Sequence, residues 1–126
     1  AMTSGAPEPI IEHTESLSAT VNDPEETAKV MSAFESRFGS DAVLAPGPVS
    51  GSEDVGLFAT AAGAPLVYWI LGGTDATLLE RAARNGTTDQ DIPSNHSPHF
   101  APVPDPTLSR GVDALITAAR SYLQPH

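Results

Sequence analysis

The chain contains no cysteine, so it has neither a disulfide framework nor a thiolate metal ligand, and any metal site must draw on His, Asp or Glu. Absence of cysteine fits a cytoplasmic origin. Basic side chains are scarce, six against sixteen acidic ones, giving a formal net charge of −10 at pH 7. Such a field repels phosphate backbones and anionic lipid surfaces, so neither nucleic acid nor a membrane is expected as a partner. No stretch approaches the roughly 18 consecutive apolar residues of a membrane span, and the first residues show no basic segment followed by an apolar one. The order Ala1-Met2 is not how translation begins, so residues 1–9 read as a cloning remnant and linker.

What is present suffices for one modest core: 126 residues, of which 40% are apolar. Twelve prolines and ten glycines gather around residues 45–51 and 92–106 and predict ordered loops there. Residues 10–21 alternate roughly between apolar and polar (Ile11, His13, Leu17, Ala19, Val21) after a Pro-Glu-Pro entry, which predicts a strand. Asp23-Pro24-Glu25-Glu26 is a helix start, with Asp23 as cap and Pro24 at the first helical position. Val30, Met31, Phe34 and Phe38 follow at helical spacing and Gly39 ends the run.

Ala42-Val43-Leu44 predicts a short buried strand. A second helix is expected from Ser52 as cap, with Val55, Phe58, Ala59 and Ala62 facing inward before Gly63. The run Leu66–Leu71, bounded by Pro65 and Gly72-Gly73, reads as a strand buried on both faces, with Tyr68 and Trp69 pointing to opposite layers. A short helix over 75–84 closed by Asn85-Gly86 and a last helix over 107–123 complete the pattern. The latter carries Leu108, Val112, Leu115, Ile116, Ala119 and Leu123 at helical spacing. Alternation of strands and helices predicts an α/β layered fold.

Two segments can carry chemistry. Gly51-Ser52-Glu53-Asp54 places a glycine turn and a helix start beside two carboxylates, which serves either as an ordinary cap or as backbone amides presented to a ligand carboxylate. Asn95-His96-Ser97-Pro98-His99-Phe100 lies in the long loop of residues 87–106, where His96 reads either as a metal ligand or as a solvated loop histidine. A Ser52–His96–Asp54 triad is disfavoured, since no G-x-S-x-G elbow presents the serine.

The order Thr20-Val21-Asn22-Asp23, Gly51-Ser52-Glu53-Asp54, Gly63-Ala64-Pro65 running into Tyr68 and Gly72-Gly73, then Asn95-His96-Ser97-Pro98-His99-Phe100 before a final helix, resembles the C-terminal part of M20-family amidohydrolases. Aminoacylase- and hippurate-hydrolase-like enzymes are among these, and the similarity runs from about residue 10 to the end.

The resemblance implies a partial three-layer α/β/α catalytic domain over residues 22–126. Residues 10–21 would be the last strand of a lid domain, a possible homo-oligomer contact through 10–20. It makes His96 a ligand to a divalent metal (Zn, Mn or Co) and sets Gly51, Ser52, Glu53, Asp54, Asn95 and His99 around an N-acyl amino acid or related amide substrate. Val55, where the family commonly has phenylalanine, and His99, where it has a basic residue or tyrosine, depart from the pattern and bear on substrate preference. The other metal ligands and the glutamate base of the family precede this stretch, so the 126 residues are expected to hold no complete catalytic set and to be inactive alone. The competing expectation is an independent acidic interaction module that uses the 10–20 strand edge and the 87–106 loop to bind another protein.

Overall fold

The computed structural model describes residues 5, 7–12, 14, 18–51 and 53–123, and among them it contains helices, turns and extended segments but no β-strand. Helix α1 (Pro24–Phe38) begins as its sequence requires: the Asp23 carboxylate accepts the N–H groups of Glu25 and Glu26 at 3.0 and 2.9 Å. It stops at Gly39, whose φ of 88° is open to a residue without Cβ. A 3-10 turn (Ser40–Ala42) follows, then α2 (Val55–Ala62), α3 (Ala76–Asn85), the single-turn α4 (Thr88–Asp91) and α5 (Pro104–Leu123).

Helices α1 and α5 lie antiparallel. Near the start of α1, Lys29 sits over the Tyr122 ring, 3.9 Å from its centroid. Near its end, Arg37 bonds Asp113 at 2.6 Å, and both Arg37 and Arg110 flank Phe38. Between them Val30 and Phe34 meet Ala114 and Ala118, with Phe38, Val43, Val67 and Trp69 partly buried around this centre. The Phe34 and Trp69 rings meet edge to face at 5.4 Å. Large rings on one side need small residues on the other, and so α5 turns its alanines inward. Its larger apolar residues Leu108, Val112, Leu115, Ile116 and Leu123, expected inside, are exposed.

The layered α/β arrangement expected from the sequence is not formed. Residues 18–23 and 66–71 are extended and adjacent, but only Asp23 N–H to Leu66 O joins their backbones directly, at 2.8 Å. At the next position the Asn22 side chain takes both polar groups of Tyr68, accepting from its N–H and donating to its carbonyl at 2.8 Å each. A carboxamide standing where a second peptide would pair ends the ladder before it starts. The Leu66–Leu71 run is accordingly not buried on both faces: Val67 and Trp69 are half-buried, while Ile70 is 70% exposed.

The expected strand at residues 10–21 is likewise absent from the described part of that segment, where Ile10, Ile11 and Val21 are exposed. His13 and residues 15–17 lie outside the described residues. The lid strand and partial α/β/α domain implied by the resemblance are corrected with it. Ala42 closes the 3-10 turn and Leu44 is exposed, so no strand forms there either. In α2, Val55 and Ala59 are half-buried and Phe58 is 70% exposed, against the inward face expected of it. No helix among the described residues is long and apolar enough to cross a membrane.

Candidate functional site

At the 51–54 turn the capping group is the Glu53 side chain. Its Oε1 accepts the N–H groups of Asp54 and Val55 at 2.9 and 3.1 Å, while the side chain of Asp54, the residue at the helix boundary, makes no cap bond. Ser52, expected as the cap and as a substrate contact, lies outside the described residues. The other carboxylate oxygen of Glu53 accepts the Tyr68 hydroxyl at 3.2 Å, and the Thr20 hydroxyl donates to the Glu53 carbonyl at 3.3 Å. These donors hold the Glu53 carboxyl below the usual carboxylate range: first the Val55 N–H, then that of Asp54, then the Tyr68 hydroxyl. Tyr68 is shifted the opposite way, upward, by the same hydrogen bond and then by the charge of Glu53.

At this turn the amides of Asp54 and Val55 are engaged by the protein's own Glu53 carboxylate. Gly51 and Asp54 are exposed and Glu53 is half-buried. Tyr68 and Thr20 are the members sequence reasoning did not place. Tyr68 is fifteen residues from Glu53 and Thr20 thirty-three, separations at which no local spacing rule pairs side chains.

The second segment is an ordered succession of turns rather than a structureless loop. It leaves α4 through Ile92 N–H to Thr88 O at 3.0 Å, turns at Ser97 N–H to Ser94 O (2.8 Å), and turns again at Phe100 N–H to Ser97 O (3.0 Å). The Ser97 hydroxyl accepts the His99 N–H at 3.1 Å. Its far end is tied by Val103 N–H to Gly73 O at 2.9 Å, where the chains come so close that a Cβ on Gly73 would stand 2.8 Å from that of Pro102. Asn95, His96 and His99 are all exposed on this frame, and the His96 ring bonds no other described residue.

Among the described residues no hydrogen bond links the 95–99 turns to the 51–54 turn, and no three potential metal ligands gather at one place. His96 and His99 therefore stand on these turns without a third His, Asp or Glu gathered beside them among the described residues. No protein-family model matches this chain, and no solved structure matches it.

Proposed function

We propose that this chain is the C-terminal part of a metal-dependent amide hydrolase, to whose two-metal centre it supplies one ligand, His96, together with part of the substrate pocket. The observation that carries this reading is the presentation of His96: exposed, its ring without a hydrogen-bond partner among the described residues, and held on turns closed at both ends. An imidazole in that state is available to a zinc-like ion without first breaking another bond. When bound, such a metal polarises the amide carbonyl and lowers the pKa of its water. The contributions of this chain are a donor nitrogen from His96, neighbouring contacts from Asn95 and His99, and the Glu53–Tyr68 pair beside the 51–54 turn. The remaining ligands and the general base come from elsewhere.

A second reading, an acidic interaction module without catalysis, draws support from the uncovered apolar stripe of α5. One assay separates the two: hydrolysis of N-acyl amino acids with added zinc, manganese or cobalt, by the 126 residues and by a longer product of the same reading frame. The longer protein is expected to be active and to lose about 10–100-fold or more on His96→Ala, since even residues behind a ligand are worth that much. His99→Ala should do less. Robust turnover by the 126 residues alone, or an active His96→Ala protein with unchanged metal content, overturns the proposal.

A further inference from the structure

We draw no further inference here: the strongest candidate, the open apolar surface between the Leu66–Leu71 segment and helix α5, has no charged lining residue to select a partner, and nothing in the structure shows what covers it.

Discussion

Replacing Asn22 by alanine removes both hydrogen bonds that tie residues 18–23 to the Leu66–Leu71 segment at Tyr68. Each such bond contributes about 0.5–1.5 kcal/mol net, so the pair is worth about 1–3 kcal/mol. Tyr68 is 40% exposed, and its freed N–H and carbonyl can turn to water. The expected loss is therefore in the lower part of that range, about 1–2 kcal/mol. Urea unfolding followed by Trp69 emission should show an earlier midpoint with an unchanged slope, because the buried surface is nearly the same. In a thermal scan the loss corresponds to a lowering of Tm by about 3–6 °C per kcal/mol for a chain of this length. Asn22→Asp keeps an acceptor for the Tyr68 N–H but sets an anionic oxygen against its carbonyl, so at neutral pH it should be at least as damaging as alanine. An alanine variant that unfolds at the parent's midpoint, or an aspartate variant as stable as the parent, would show that this side chain does not join the two segments.

Phe34→Ala empties the centre of the α1–α5 contact, and Phe-to-Ala changes in a core cost about 3–5 kcal/mol, with a further ~0.5–1.5 kcal/mol for the lost edge contact on Trp69. Set against the about 5–15 kcal/mol of a typical domain that is a large share of the whole and should move the urea midpoint far down, whereas Leu108→Ala on the exposed stripe should change stability by less than about 0.5 kcal/mol; a Phe34→Ala protein that unfolds at the parent's midpoint contradicts the assigned core. The Tyr122 phenol, pushed up to about 12 by the nearby Glu26 carboxylate and then by partial burial, keeps its proton more tightly folded than unfolded, where it titrates near ~10. Its contribution is thus fully present below pH ~10 and lost as pH rises from there through the folded value, so Tyr122→Phe should flatten the alkaline fall in Tm, and an unaltered fall counts against the Glu26–Tyr122 contact.

What could be read from the sequence followed the range of the interaction that decides it. The start of α1 at Asp23-Pro24-Glu25-Glu26 and its end at Gly39 were legible because the cap reaches only two and three residues. The Leu66–Leu71 run was misread as a strand buried on both faces: an unbroken apolar pattern does not tell a covered strand from an extended segment that leaves Tyr68 and Ile70 exposed. Its pairing was not legible either, since Asn22 lies forty-six residues away and answers with its side chain. The period of α5 was read correctly and its buried face was not: an apolar-or-polar pattern favours Leu108, Val112, Leu115 and Ile116, whereas the bulk of Phe34 and Trp69 selects Ala114 and Ala118. For the candidate site, the 87–106 segment announced itself by composition and exposes His96, yet the bond from Tyr68 to Glu53 had no local signature.

The two faces of α5 also explain why surface and charge have to be considered together. Its narrow alanine face is used against α1, while Leu108, Val112 and Leu115 are each more than half exposed. An exposed apolar band of this kind favours association with another apolar surface wherever hydrophobic burial acts alone. The formal charge of −10 acts against one class of partner in particular, copies of the chain itself, and over a distance of about 8 Å at physiological ionic strength. Burial is indifferent to the sign of charge and repulsion is not, so a substitution in this band and a change of salt concentration act on different terms of any association.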